Sequence, residues 1–76
     1  MIKFLVMLPM CWGVGETIDT ADKKARKEGG LGRKKLSRIV WSYDTETTET
    51  VYIDGMGSLV WQGERPKEIE RVKVGK

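Results

Sequence analysis

Residues 2–17 read IKFLVMLPMCWGVGET, and this stretch decides how the fold begins. Residues 2–10 are almost all apolar and carry β-forming side chains as far as Pro9, which predicts a buried first strand that ends at the proline. Residues 12–17 are punctuated by glycine, which predicts a tight loop. Thr17 is a suitable N-cap for a helix that follows this loop.

A helix is predicted over residues 19–28, because strong helix formers fill this segment and two glycines follow it at positions 29 and 30. Asp22 and Arg26 lie four residues apart, in the order that favours an ion pair on a helix. The apolar stripe of this helix is narrow and consists of three side chains. These are Ile18, Ala21 and Ala25.

Further strands are predicted over residues 36–43, 50–54 and 58–61. The tail, residues 67–76, fits a strand or a short helix, and we expect a strand over residues 71–74. The order β-α-β-β-β, with this last element in addition, predicts an α+β fold. We expect a two-layer sandwich in which one helix packs on a mostly antiparallel sheet. A chain of 76 residues is expected to form a single domain, residues 1–76.

The first strand is apolar on both faces, and strands of this kind are normally covered on both. A helix with so narrow an apolar stripe covers only one of these faces. We therefore expect the C-terminal segment, a second copy of the chain or a partner to cover the other face. Of these three, a homodimer is favoured, because it also enlarges a small core.

The composition excludes several kinds of chemistry. The chain has no histidine and one cysteine, Cys11, so histidine acid–base catalysis, zinc sites of cysteine and histidine, and an internal disulfide are absent. Cys11 is expected to be a buried or half-buried apolar residue. Asp44, Glu46 and Asp54 leave a metal-dependent nuclease open, although the surrounding threonines indicate a solvated loop. We expect no enzymatic activity and no cofactor.

The glycine-rich residues 13–17 join a strand to the start of a helix, where backbone N–H groups can bind a phosphate. The lysine of phosphate-binding loops is missing, and Glu16 and Asp19 place negative charge at the same position. A tight turn without a ligand is therefore the expectation.

The apolar residues 4–10 have the length of a short signal-peptide core, but Pro9 interrupts them and no small-residue cleavage site follows. The run is also too short to span a bilayer. Because a single thiol suits a reducing compartment, we expect a cytoplasmic protein with no membrane partner.

Positive charge is concentrated in residues 23–38, which we call the basic stripe. Eight cations are opposed there only by Glu28, which gives a net charge of +7 in a chain whose overall charge is +3. Such a segment can follow a phosphate backbone, and an ordinary solvated helix face has the same composition. The cations are Lys23, Lys24, Arg26, Lys27, Arg33, Lys34, Lys35 and Arg38.

The chain has three tryptophans. Trp41 alternates with apolar neighbours and is expected in the core. Trp12 and Trp61 lie near glycines at the ends of predicted elements. Each is a candidate platform for a nucleic-acid base or an anchor at a protein interface, and each also suits a lid over a thin core.

The layout of the chain resembles a known group of small proteins. It combines the opening strand, the segment Trp12-Gly13-x-Gly15-x-Thr17, an alanine-bearing helix that ends in two glycines, a hairpin, and residues 54–61 (DGMGSLVW). This layout is similar to the small orphan α+β proteins of bacteriophages and mobile elements, some of which are anti-CRISPR proteins or other inhibitors of host factors. The resemblance implies a protein that works by binding a macromolecule.

The sequence therefore predicts a small non-enzymatic interaction protein, a phage-type inhibitor that binds a host protein or a nucleoprotein complex. The alternative is a small nucleic-acid-binding protein that uses the basic stripe. Salt dependence of binding separates these two functions, because contacts with phosphates weaken steeply as salt rises.

Overall fold

The computed structural model describes residues 1–75, and these form one helix and six strands. The order is β1 (Ile2–Met7), β2 (Trp12–Gly15), α1 (Ile18–Gly29), β3 (Arg38–Asp44), β4 (Thr48–Ile53), β5 (Leu59–Gly63) and β6 (Lys67–Val72). Every strand pair is antiparallel. The predicted α+β class, with one helix packed against antiparallel strands, is confirmed. The strands form two sheets, in the orders β2-β1-β3-β6 and β4-β5.

The helix packs on one face of the larger sheet. Val6 of β1 lies opposite Gly13 of β2 and opposite Val40 of β3, so the three residues share that face. Val6, Val40 and Leu8 are buried against two small side chains of α1, Ala21 and Ala25. The narrow apolar stripe predicted for the helix is therefore the part of it that enters the core.

Residues 12–15 form a strand, where the sequence predicted a loop. Glycine is depleted in strands, so a segment punctuated by glycine is more typical of a loop. In the fold, a Cβ atom at Gly13 would lie 2.7 Å from the carbonyl oxygen of Ala21, and one at Gly15 would lie 2.8 Å from the nitrogen of Ala21. The glycines therefore allow the backbone of α1 to approach the backbone of β2, which is a recognised reason for glycine in a strand.

The predicted N-cap and the predicted glycine stop of the helix are confirmed. The Thr17 hydroxyl accepts a hydrogen bond from the backbone N–H of Thr20 at 3.0 Å. At the other end, Gly30 adopts the left-handed conformation, with φ at 61°, and its N–H bonds to helix carbonyls. Helix α1 extends one residue beyond the prediction at each end.

The later strands are present with shifted bounds. Strand β4 begins before the predicted residue 50, because Thr48 is buried and its hydroxyl donates to the carbonyl of Glu64 at 2.7 Å. The tail forms a strand, as expected, but β6 lies earlier than residues 71–74 because it pairs with β3 from Lys67 onwards. Part of the expectation for the tail, Lys76, lies outside the described residues.

The hairpin of β4 and β5 folds back over the face of the larger sheet that lies away from the helix. Strand β3 ends beside the start of β1, where Asp44 is opposite Ile2, and β4 then runs back along the sheet. The side chain of Leu5 is fully buried on this face. The cover therefore comes from an internal hairpin, which differs from the C-terminal segment, second copy or partner expected from the sequence.

Candidate functional site

Two cations of the basic stripe hold the fold together and are not free for a ligand. Arg26 and Arg38 each bond one oxygen of the Asp22 carboxylate, and the Arg38 contact measures 2.7 Å. Arg38 also bonds Glu70 of β6 at 2.6 Å. The Arg26 guanidinium reaches the carbonyl oxygen of Lys34 at 2.5 Å. We call this set of contacts the Asp22 network. It connects α1 to β3, to β6 and to the loop between α1 and β3.

The side chains of the Asp22 network are largely shielded from water. Burial and hydrogen bonds together shift the pKa values of Asp22 and Arg38. Burial raises the pKa of Asp22, but hydrogen bonds from Arg38 and Arg26 outweigh it and leave this pKa below its ordinary value. Hydrogen bonds to Glu70 and then to Asp22 raise the pKa of Arg38. Asp22 and Arg38 are therefore charged at neutral pH, and their ion pair stabilises the fold.

The other cations of the stripe are exposed. Lys23 pairs with Asp19 at 3.3 Å on the surface of the helix. Within residues 1–75, the remaining five make no ion pair; they are Lys24, Lys27, Arg33, Lys34 and Lys35. Five cations of the basic stripe are thus exposed without an ion pair within residues 1–75, two of them on α1 and three in the loop before β3.

The two candidate tryptophans lie in different parts of the molecule. Trp61 is on β5, half-buried, and the guanidinium of Arg65 lies 5.2 Å from the centroid of its ring. Trp12 is at the start of β2, also half-buried, and lines two hollows whose lining does not include Trp61. Trp41 is half-buried on the sheet face that the hairpin covers.

A groove of about 820 Å³ lies between the tip of the β4–β5 hairpin and the larger sheet. Met7, Trp12 and Ile39 form its wall on the sheet, and Ile53 faces them from the hairpin. Met10 is 87% exposed at its mouth. Arg38, Arg71 and Lys73 are the cations of its lining, and Asp54 is an acidic residue there. We call this space the hairpin groove.

Sequence reasoning did not single out the hairpin groove. Its members come from four separate segments, which local patterns do not bring together. One feature was visible: Pro9 and Met10 form a turn that leaves a large apolar side chain in solvent. Of the predicted contact residues, Trp12 and Arg38 line the groove, and Arg38 is already bonded within the Asp22 network.

A second, shallower hollow of about 490 Å³ lies on the outer side of β2. Trp12, Gly13 and Val14 line it from the strand. The helix contributes Lys24, Lys27 and Glu28. We call it the β2 hollow, and it brings two cations of the basic stripe next to Trp12.

Of the carboxylates considered for a metal site, Asp44 and Glu46 lie together beside the N-terminal ammonium of Met1, and Asp54 lies apart from them. Asp44 bonds the N-terminal ammonium of Met1 at 3.3 Å and the N–H of Glu46 at 3.0 Å. Asp54, beyond the other end of β4, accepts N–H bonds from Met56 and Ser58 and so closes a turn. Within residues 1–75, no three acidic or cysteine side chains are grouped so that they can hold a metal ion.

The half-buried Cys11 packs against the helix-facing core, as the sequence predicted. Burial raises the pKa of its thiol, although a backbone hydrogen bond from Gly29 opposes this effect. The thiol is therefore mostly protonated at neutral pH and is a weak nucleophile.

Among residues 1–75, no helix is long and apolar enough to cross a membrane. No protein-family model, curated protein or solved structure matches this chain.

Proposed function

We propose that this chain is a small non-enzymatic interaction protein that binds a protein of a host cell, alone or within a nucleoprotein complex, as a phage-type inhibitor. The observation that supports this function is the hairpin groove, an open apolar space with positive charge at its margin. The part that concerns a host and an inhibitor comes from the resemblance in layout to small proteins of bacteriophages and mobile elements.

The chemistry of the hairpin groove favours a protein segment as its occupant. Spaces of this volume accept several side chains, and fully desolvated pockets are where interfaces gain most of their affinity. Met7 and Met10 can adapt to an apolar side chain, because methionine is unbranched and polarisable. Lys73, which makes no ion pair within residues 1–75, favours a carboxylate beside that side chain, whereas Arg71 is already paired with Glu68. The partner segment is therefore apolar with an acidic neighbour.

The absence of enzymatic activity is proposed on chemical grounds. The sequence contains no histidine, and the one thiol is kept mostly protonated by burial. Asp44 and Asp54 are engaged in local hydrogen bonds at opposite ends of a strand. We also propose a cytoplasmic site of action, since a single half-buried thiol suits a reducing compartment.

Two exposed methionines provide a matched test of the hairpin groove. Met10 lies at its mouth and Met56 is 90% exposed on the hairpin without lining it. The tagged protein is used to capture partners from bacterial lysate with and without nuclease, and the captured protein is purified for a titration. We expect nuclease-resistant binding that weakens about tenfold or more in Met10→Asp and changes less than about twofold in Met56→Asp.

Two results would overturn the groove proposal. One is capture that disappears on nuclease treatment. The other is a purified partner that binds Met10→Asp and Met56→Asp as tightly as it binds the unsubstituted chain.

Nucleic-acid binding is the second candidate, and five exposed cations without an ion pair within residues 1–75 favour it. Three of them, Arg33, Lys34 and Lys35, follow one another in the loop before β3. On duplex DNA, the logarithm of affinity should fall with the logarithm of salt by about 0.9 per phosphate contact. Replacing the three with alanine should weaken binding and flatten this slope; unchanged binding would show that the loop is only solvated.

A homodimer also remains a proposal, but the uncovered sheet face from which we expected it is covered within a single chain. The hairpin covers the sheet face that a second copy was expected to cover, and Leu5 there is already fully buried. Sedimentation at micromolar concentration decides the oligomeric state, and a single monomeric species would exclude the dimer.

A further inference from the structure

Strand β2 is an edge of the larger sheet, and its hydrogen-bonding pattern shows which backbone groups face outward. The N–H of Leu8 bonds the carbonyl oxygen of Cys11 at 2.7 Å, and Met7 is paired with Trp12. In an antiparallel ladder, hydrogen-bonded and non-hydrogen-bonded pairs alternate. The N–H and C=O groups of Gly13 therefore point to β1, and those of Trp12 and Val14 point away from the sheet. Within residues 1–75, no strand pairs with β2 on that side.

The positive charge beside this edge comes from the helix. Because Gly13 and Gly15 lack side chains, α1 lies close over β2, and Lys24 and Lys27 line the β2 hollow together with Trp12 and Val14. Neither lysine makes an ion pair within residues 1–75. Glu28 is the one acidic side chain in the hollow.

The opposite edge of the same sheet is protected in the way that edges usually are. Strand β6 reads KEIERV, with charged side chains at four of six positions. Glu68 and Arg71 form an ion pair there at 2.8 Å. Charges of both signs along an edge discourage a further strand. The edge at β2 has charge of mainly one sign, and that charge comes from the helix above it.

We propose that the outer edge of β2 binds an extended, acidic segment of a partner protein by strand addition. The backbone of the added segment bonds the outward N–H and C=O groups of Trp12 and Val14. Its carboxylates, on the face of the sheet that carries α1, contact Lys24 and Lys27. Side chains of a strand alternate between faces, so the segment alternates acidic and apolar residues. This surface goes beyond the hairpin groove and does not require the groove to be occupied.

The same geometry disfavours a second copy of the chain as the occupant. Two antiparallel β2 strands that pair at this edge are related by a two-fold axis perpendicular to the sheet, so both helices lie on the same face. Lys24 and Lys27 of one copy would then face the same lysines of the other. Like charges in such an arrangement are repulsive.

A nucleic acid matches the edge less well than a peptide does. The phosphate backbone presents acceptors, which suit the two lysines and the outward N–H groups. The outward carbonyl oxygens of Trp12 and Val14 would face the phosphate oxygens. Both are acceptors, so no hydrogen bond would form between them. An extended peptide offers a donor and an acceptor at every second residue, which is the pattern that the edge requires.

The test uses a fluorescent octapeptide that alternates valine and glutamate. Fluorescence anisotropy measures its binding, and amide hydrogen exchange reports on the backbone of Trp12 and Val14. We expect saturable binding below about millimolar peptide that slows exchange at these two amides. Val14→Pro removes the outward N–H without removing a bond to β1, because proline is tolerated at sheet edges. It should weaken binding about tenfold or more.

The contribution of the lysines has a matched control. Lys24→Glu with Lys27→Glu should weaken peptide binding about tenfold or more, since both carboxylate contacts become repulsive. Lys34→Glu with Lys35→Glu makes the same change of net charge outside the β2 hollow and should change binding less than about threefold. Met10→Asp, which alters the hairpin groove, should leave peptide binding unchanged and so separates the two surfaces.

A second arm keeps the protein unchanged in case a variant does not fold. The octapeptide is N-methylated on one set of alternate amides or on the other. Only the set that faces β2 should abolish binding, because those amides donate to the edge. Circular dichroism confirms the fold of each variant before its titration.

Four results would overturn the proposal. The first is the absence of saturable peptide binding, and the second is equal binding of the two N-methylated peptides. The third is displacement of the peptide from β2 by a single-stranded oligonucleotide that binds more tightly than the peptide does. The fourth is a dimer of the free protein that Val14→Pro dissociates.

Discussion

Replacing Gly13 with alanine would insert a methyl group into the contact between β2 and α1. The new Cβ atom would lie 2.7 Å from the carbonyl oxygen of Ala21 and 2.7 Å from the nitrogen of Ala25. Ordinary contact begins at 3.4 Å, so the helix must retreat by about 0.7 Å. Both neighbours are backbone atoms of a regular helix, which cannot yield as the end of a flexible side chain does.

The expected loss of stability follows from that displacement. A gap of this size removes about a quarter to a half of the dispersion energy between facing atoms, and overpacking in a core typically costs about 1–3 kcal/mol. Alanine restricts the unfolded chain, which offsets up to about 1 kcal/mol. We expect Gly13→Ala to lower the free energy of unfolding by about 1–3 kcal/mol. At about 0.05–0.15 kcal/mol per residue, this is a large fraction of the total stability.

Urea denaturation followed by far-ultraviolet circular dichroism measures this loss. Gly55→Ala is the control, because no atom of residues 1–75 lies within 4 Å of its added Cβ; it should stay within about 0.5 kcal/mol of the unsubstituted chain. Gly15→Ala should resemble Gly13→Ala, and the double variant should lose less than the sum, since one retreat of the helix relieves both contacts. A Gly13→Ala protein as stable as Gly55→Ala would refute the close approach of α1 to β2.

Three further predictions concern the fold around the proposed surfaces. Thr50, a β-branched residue, has a φ of 55°, so Thr50→Gly should stabilise the protein by about 1 kcal/mol in urea denaturation; a loss of stability would contradict this conformation. Because the pKa of Asp22 is lowered in the folded state, its stabilising effect is present above about pH 4 and is lost as the pH falls through the folded pKa. Asp22→Asn should cost about 1–3 kcal/mol at pH 7, and the difference from the unsubstituted chain should shrink on acidification through that window; a difference independent of pH would contradict the network. Cys11 should react with iodoacetamide more slowly than a free thiol at pH 7 and accelerate on denaturation, and equal rates would show that burial does not protect it.

Local patterns were sufficient for the helix and for the existence of most strands. Thr17 and Gly30 mark the ends of α1 because capping depends on residues close in sequence. The ion pair of Asp22 with Arg26 was also predictable, since its spacing is fixed by the helix. The second partner, Arg38, lies sixteen residues further on and meets Asp22 only because β3 pairs with β1 in the sheet on which the helix packs.

The errors have a shared physical origin in contacts between distant segments. Gly13 and Gly15 were assigned to a loop because the helix that needs their small size is not visible in a strand-length window. The turn at residues 45–47 gives no indication that the β4–β5 hairpin folds back over β1. Because the sequence does not show that the hairpin folds back, it predicts neither the cover over Leu5 nor the hairpin groove.

The basic stripe illustrates how the fold divides one run of charge between two tasks. Arg26 and Arg38, on the inner side of the stripe, neutralise Asp22 and Glu70 and fix α1 over the sheet. That position in turn sets the lysines of the outer helix face beside the free edge of β2. A charge count over residues 23–38 cannot separate these tasks, because it assigns the same value to a guanidinium in a buried network and to an ammonium in solvent.

Trp12 connects the two proposed surfaces. Its outward N–H and C=O groups belong to the edge of β2, and its side chain lines the hairpin groove on the face away from α1. In a segment added to β2, the acidic side chains face Lys24 and Lys27, and the alternate apolar side chains lie on the side of the sheet that carries the groove. A partner that continues beyond the added strand can therefore contact both surfaces at once, and its affinity would then exceed what either surface provides alone, because the second contact forms within an existing complex.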